Sequence, residues 1–223
     1  CAARLAEIFR KACLDRAGED GVNVLSLSGG PDSRAVASAL ASGKAPFQGA
    51  TFLGGSGDDM ADAKTAETVA AILEVPWRLF KFGPARGSDA MRLLRMKNGG
   101  DHLGMSFSMG LFDMIREAWG DRVTFFTGTG GSFVVPDNRP AGRFAGTDEL
   151  AGHLISRNAI LTLAQAAAVT GLRADRIRES IRDYLASCPE HKMSDKYLHF
   201  MVCGRDMKRA VEGEDRNRFF FWT

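Results

Sequence analysis

The stretch that most constrains the fold runs from Leu25 to Ala37, where an apolar strand leads through Ser-Gly-Gly-Pro-Asp-Ser into an Ala-rich helix. Glycines let a backbone approach a bound group without a Cβ clash. The start of the following helix offers free N–H groups and the positive end of its dipole. The carboxylate of Asp32 beside it suits a magnesium ion that accompanies phosphates. The pattern predicts a strand–loop–helix site for phosphate groups; the alternative is a Gly-rich turn with an N-capping Asp or Ser.

The composition is sufficient for one sizeable hydrophobic core and does not indicate a nucleic-acid-binding protein. The chain has 223 residues, of which 45% are hydrophobic, and 29 Lys and Arg residues face 27 Asp and Glu residues, for a net charge of +2. This balance argues against a dedicated nucleic-acid surface. No apolar run approaches the ~18 residues of a membrane span, and residues 1–14 resemble an amphipathic helix and not a signal peptide. We therefore expect neither nucleic acid nor membrane among the partners.

The cysteines are scattered and include no CxxC pair. The histidines do not bracket them at the spacing of metal ligands, so the spacing predicts neither a zinc site nor a disulfide framework. Free thiols in a reducing compartment, the cytoplasm, are the expected state. The cysteines are Cys1, Cys13, Cys188 and Cys203, and the histidines are His102, His153, His191 and His199.

Strands and helices alternate along the first part of the chain, which is typical of βαβ units with a parallel sheet. The predicted strands are Asn23–Leu27, Phe47–Phe52, Trp77–Phe82 and Arg122–Phe126. Glycine-rich loops at 28–33, 54–57 and 127–131 follow three of these strands, and ligands bind at that edge of such a sheet. The sequence predicts an α/β fold with a Rossmann-like parallel sheet and flanking helices at 1–135, with one nucleotide-sized cleft.

Residues 136–140 are predicted to form a polar loop bounded by prolines, and from Asp148 onward the pattern is helical. Residues 136–223 are therefore expected to form a mostly helical C-terminal subdomain. The predicted helices are Leu150–Asn158, Ile160–Val169, Asp175–Leu185 and Asp195–Val211. Candidate caps are Thr147 or Asp148, Arg173, and Ser194 or Asp195.

Four further segments accompany the Ser28–Ser33 loop in a pattern that resembles the synthetase domain of asparagine synthetase-type ligases, within the N-type ATP pyrophosphatases (PP-loop proteins). Asp62–Ala70 resembles the D-x-x-x-A-x-x-x-A helix after the family's second strand. Val123–Gly131 resembles its strand with an S/T-G-x-G motif. Arg205–Met207 and Phe219–Thr223 resemble the approach to its P-F-x-D segment. The resemblance implies an adenine nucleotide alpha hydrolase-like fold.

The resemblance also implies an activity and its site. Synthetase domains of this family cleave ATP between the α and β phosphates, convert a carboxylate to an acyl-adenylate, and release AMP when an amine attacks. Main-chain and hydroxyl groups at Ser28, Gly29, Gly30 and Ser33 would hold the pyrophosphate. Asp32 would bind Mg²⁺. Main-chain groups of Leu27, Leu53 and Gly128 would flank adenosine. The substrate would be a small-molecule or peptide carboxylate, and the resemblance leaves open a homodimer or an association with a separate glutaminase or partner protein.

The chain departs from the family in its second acidic motif, usually G-E-G-x-D-E. Thr129 stands where the catalytic Glu would be, and Ser132 stands where the magnesium-binding Asp would be. A threonine hydroxyl is a poor base near neutral pH. Asp101, Asp113 and Asp137 are candidate substitutes, although loop or surface roles are favoured for them. The family's downstream Lys is not matched, and Cys1 is not favoured as an amidotransferase nucleophile.

Three functions follow from these observations. The first is an ATP-dependent, AMP- and pyrophosphate-forming amide ligase of the asparagine synthetase type. The second is a degenerate member that binds ATP, AMP or a partner without turnover. The third is an RNA-modifying or thiolating N-type pyrophosphatase, which is expected to carry a basic surface or cysteine pairs that this sequence lacks.

Overall fold

The computed structural model describes residues 2–18, 20–54, 59–96, 103–129, 131, 139–140 and 142–206. The described residues separate into two units, one within Cys1–Ser132 and one within Phe133–Ala210.

The first unit is built on a four-stranded parallel sheet. Its strands are β1 (Val22–Ser26), β2 (Gln48–Leu53), β3 (Trp77–Lys81) and β4 (Val123–Phe126), in the order β3-β2-β1-β4. Val24 lies opposite Gln48 on one side and opposite Phe125 on the other. The predicted α/β class and parallel sheet are confirmed, and the arrangement is compatible with a Rossmann-like fold.

Helices cover both faces of this sheet. They are α1 (Ala2–Leu14), α2 (Pro31–Ser42), α3 (Asp59–Ile72), α4 (Gly87–Met96) and α5 (Phe107–Trp119), with a 3₁₀ turn at Leu103–Ser106. Successive side chains of a strand point to opposite faces. Leu25 accordingly packs with residues of α1, α2 and α3, whereas Val24 packs with residues of α4 and α5. This two-sided burial explains why the consecutive residues Val24 and Leu25 of β1 are both apolar.

The described part of the second unit is helical, as the sequence predicts. Its elements are α6 (Thr147–Asn158), α7 (Leu163–Thr170), α8 (Ala174–Ser187), α9 (Met193–His199) and a π-helix at Phe200–Asp206. Leu150, Ala151, Leu154 and Leu185 form its core, and all are fully or almost fully buried.

Two kinds of helix boundary in this unit differ from the prediction. The N-caps of α6 and α9 are Gly146 and Lys192 and not the predicted polar side chains, whereas Arg173 caps α8 as predicted. Helix α7 begins later than predicted because Thr162 forms a reciprocal capping box with Gln165.

None of the helices in the described part of the chain combines the length and the apolar character that spanning a bilayer requires.

Candidate functional site

The candidate site lies at the carboxyl ends of β1 and β4, where the strand order reverses. The chain moves outward from β1 through β2 to β3 and then returns to place β4 on the other side of β1. In open α/β sheets, ligands bind in the crevice at such a switch point. The Ser28–Ser33 loop follows β1, and the Thr127–Gly131 segment follows β4. The topology therefore brings these two predicted glycine loops together.

The serine hydroxyls shape the first loop from within. The Ser28 N–H donates to Ser33 Oγ at 3.1 Å, and the two hydroxyl oxygens are 3.1 Å apart. The Gly30 N–H donates to Ser28 Oγ at 3.2 Å. Ser33 is only 3% exposed. Both hydroxyls, which the resemblance assigns to pyrophosphate binding, are therefore engaged in holding the loop backbone.

Helix α2 begins without a side-chain cap. Its N-cap residue is Gly30, in extended conformation, and Pro31 occupies the first helical position. The turn capped by an Asp or Ser side chain, the alternative from the sequence, is therefore not what the structure contains. An uncapped first turn presents backbone N–H groups and the positive dipole end to an anion. The exposed Arg34 adds positive charge nearby, with its Nε donating to the Gly30 carbonyl at 3.3 Å.

The loop after β4 lies directly against this helix start. A Cβ added to Gly128 would lie 2.6 Å from the Ser33 backbone nitrogen and 3.0 Å from the Asp32 carbonyl carbon. A Cβ added to Gly131 would collide with the Asp32 carboxyl group. The absence of a side chain at these positions is therefore what allows the two loops to meet around Asp32, which is half-buried.

A second carboxylate, Asp62, lies beside the loop and was not among the predicted site residues. It stands in the first turn of α3, is exposed, and its Oδ1 would lie 2.5 Å from a Cβ added to Gly29. The signal was present in the sequence, since Asp62 opens the D-x-x-x-A-x-x-x-A pattern. That pattern indicates a helix and does not by itself indicate a ligand.

The main-chain groups expected to flank adenosine are partly used by the sheet. The Leu27 N–H donates to the Ala50 carbonyl at 2.9 Å, and its own carbonyl accepts from Thr51 Oγ1 at 2.7 Å. The Leu53 carbonyl accepts from the Phe82 N–H at 3.1 Å. Leu27 and Leu53 thus lie at the carboxyl ends of β1 and β2, and their backbones are fixed there by neighbouring strands.

Thr51 links three strands through one buried hydroxyl. It donates to Leu27, accepts from Trp77 Nε1 at 2.8 Å, and is 4% exposed. We expect Thr51→Val to lower the free energy of unfolding by about 1–3 kcal/mol, because it leaves the buried Leu27 carbonyl and the half-buried Trp77 N–H without this partner. Urea unfolding measures this loss. The exposed Thr65 of α3 is the matched control, since Thr65→Val should change stability by about 0.5 kcal/mol or less; equal losses would contradict the role of Thr51.

The second acidic motif supplies no carboxylate within the described residues. Thr129 is exposed, and its N–H donates to Thr127 Oγ1 at 3.3 Å. Among the candidate substitutes, Asp113 pairs with Arg92 at 2.6 Å, as the favoured surface role predicts. Ser132, Asp101 and Asp137 lie outside the described residues, as does Cys1.

A separate polar cluster lies in the helical unit. Cys188, Glu190 and His199 offer ligand atoms that all lie within 4.8 Å of one another, a grouping that their sequence spacing did not predict. The hydrogen bond from His199 lowers the pKa of Glu190. Burial is the main cause that raises the pKa of the Cys188 thiol, and the same holds for Cys13 in the first unit. Cys13, Cys188 and Cys203 are all free of disulfides.

The chain matches no known family model and no curated protein sequence. The motifs and the geometry of the switch point are therefore the features that point to a function.

Proposed function

We propose that this chain is an ATP-dependent, AMP- and pyrophosphate-forming amide ligase of the asparagine synthetase type, with an adenine nucleotide alpha hydrolase-like fold. Its substrates would be ATP and a small-molecule or peptide carboxylate, which is activated by adenylation before an amine attacks. The observation that carries the proposal is the meeting of two glycine loops over the uncapped start of α2, at the switch point of a parallel sheet.

The charges around the loop support a nucleotide that is bound together with magnesium. Two carboxylates, Asp32 and Asp62, flank a backbone site suited to anions, and alone they would repel phosphate groups. Mg²⁺ reconciles the two features, because it is held by one or two carboxylates and by substrate phosphates together. These two side chains are the residues that would hold it. The ion would neutralise charge on the departing pyrophosphate.

The chain's own groups would stabilise the leaving pyrophosphate. Cleavage between the α and β phosphates gathers negative charge on the leaving group, and preorganised N–H donors stabilise such charge. The main-chain N–H groups of Gly29 and of the first turn of α2 after Pro31 are suited to this role, whereas the Gly30 N–H is held by Ser28 Oγ. The internal hydrogen bonds of Ser28 and Ser33 keep the donors in place before ligand arrives.

A second candidate is a protein that binds ATP, AMP or a partner without turnover. It is favoured by Thr129 and Ser132, which replace the two acids of the family's second motif. Both candidates need the same loop, so they differ only in whether chemistry follows binding.

ATP–pyrophosphate exchange with a panel of carboxylates, combined with calorimetric ATP titrations, separates these candidates. Exchange that depends on a carboxylate supports the ligase. ATP binding without exchange for any carboxylate favours the non-catalytic protein, and absence of ATP binding overturns the ligase and the ATP-binding form of the second candidate.

Asp32→Asn tests the metal role. We expect the variant to lose about 10- to 100-fold of its affinity for ATP in the presence of Mg²⁺, equivalent to about 1.4–2.8 kcal/mol. Its affinity without Mg²⁺ should be unchanged or higher, because one repelling charge is gone. Asp15→Asn is the matched control, because Asp15 is an exposed carboxylate that pairs with Lys11 and lies away from the loop. Its neighbour Leu14 packs beside Gly43, at the end of α2 opposite to Asp32. An equal loss in both variants would contradict the assignment of Asp32.

A further inference from the structure

The helical unit brings together three side chains of the types that bind transition metals. Cys188 follows α8 directly, Glu190 lies two residues later, and His199 ends α9. His199 Nδ1 lies 2.8 Å from Glu190 Oε1. The sulfur, one carboxylate oxygen and one ring nitrogen all lie within 4.8 Å of one another.

The polar groups of this cluster are incompletely satisfied. Glu190 Oε2 is buried and has no hydrogen-bond partner among the described residues. An acceptor left without a donor in this way lowers stability. The nearby ammonium of Lys196 donates to the carbonyls of Leu185 and Cys188 at 2.7 and 3.0 Å and forms no hydrogen bond with Glu190 Oε2. The cluster therefore has an acceptor that is directed to no described donor.

We propose that Cys188, Glu190 and His199 form a Zn²⁺ site. A thiolate, an imidazole and a carboxylate are the ligand types that zinc takes, whereas Ca²⁺ and Mg²⁺ prefer oxygen alone. The ligand atoms must move to roughly 3.3–3.8 Å from one another, the spacing that Zn–ligand bonds of about 2.0–2.3 Å impose in a tetrahedron. The fourth position falls to water or to Cys203, which is exposed and follows His199 by one helical turn.

The same three side chain types also occur in thiol enzymes, and burial argues against that role here. Cys188 is 7% exposed, and its Sγ donates to the Tyr184 carbonyl at 3.3 Å. A nucleophilic thiol needs access to its substrate, whereas a structural metal is enclosed as the protein folds. Zinc at this position would tie the end of α8 to the end of α9, and it is independent of the nucleotide site.

Metal binding by the full chain tests the proposal. After chelator treatment and gel filtration, the chain is titrated with Zn²⁺ alone in a calorimeter and with Co²⁺ in a spectrophotometer. We expect one tight site per chain and a thiolate-to-cobalt charge-transfer band in the near ultraviolet. The wild type is measured first. If it shows no charge-transfer band with Co²⁺ or no tight site for Zn²⁺, the proposal is overturned, regardless of the results with the variants.

Single substitutions locate the site. Cys188→Ser should abolish the charge-transfer band where water is the fourth ligand and reduce it to about half where Cys203 is. His199→Gln should weaken Zn²⁺ binding by more than about 100-fold, the upper range for groups that merely support a ligand. Cys13→Ala and His153→Gln are matched controls and should bind as the wild type does. Wild-type affinity in both Cys188→Ser and His199→Gln would mean an adventitious ion elsewhere and would overturn the proposal.

Discussion

Replacing Gly128 with alanine is expected to lower the affinity for ATP with Mg²⁺ by tenfold or more and the free energy of unfolding by about 1–3 kcal/mol. The new Cβ would lie 2.6 Å from the Ser33 backbone nitrogen. Since the obstacle is backbone and not a flexible side chain, either the start of α2 or the end of β4 must move. Calorimetric titration with ATP and urea unfolding measure the two effects.

Gly110→Ala is the matched control for this substitution. Gly110 lies inside α5, and an added Cβ would meet nothing within 4 Å. Alanine there should raise stability by up to about 1 kcal/mol, because it is the better helix former, and should leave ATP binding unchanged. Wild-type affinity in Gly128→Ala would show that the two loops can separate without cost to the nucleotide site.

Replacing Lys196 with methionine is expected to loosen the end of α8. Lys196 is 8% exposed, and its ammonium group satisfies the Leu185 and Cys188 carbonyls at the helix C-terminus, where a cation is favoured. Methionine keeps the apolar stem but leaves two buried carbonyls without this donor, at a cost of about 2 kcal/mol. Hydrogen exchange of peptides covering α8 and α9 should accelerate by about 30-fold at that cost.

Lys192→Met is the control for this effect, because Lys192 is the exposed N-cap residue of α9. Its exchange should match that of the wild type. If the amides of α8 in Lys196→Met exchange as slowly as in the wild type, the role of Lys196 is contradicted. The free energy gained by no longer burying an ammonium group would then offset the lost hydrogen bonds.

The sequence allowed the frame of the first unit to be predicted because its signals are local. The apolar residues of β1, the glycines after it and the Ala-rich helix all concern neighbouring residues, and the alternation of strands with helices correctly indicated a parallel sheet. The same local reasoning missed the capping box of Thr162 and Gln165. The predicted helix Ile160–Val169 therefore started too early.

The contacts that define both candidate sites are not local, and spacing could not predict them. Asp62 reaches Gly29 only because α3 begins at the same sheet edge as the loop after β1. The spacing of Cys188 and His199 in the sequence matches no metal-binding motif. They meet because the chain turns between α8 and α9. Side-chain burial at Cys188 likewise depends on packing within the helical unit.

The central position of β1 has a consequence for folding kinetics. One of its neighbours, β2, follows it closely, but the other is β4, whose Val123 pairs with Val22 about a hundred residues earlier in the chain. Pairings of such high contact order form slowly, because a long loop must close before the contact compensates for the lost entropy. Until β4 arrives, β1 is an apolar edge strand open to other chains. A nucleotide that needs Gly128 beside α2 would bind only after this closure, so ATP would act as a folding ligand that selects fully assembled molecules.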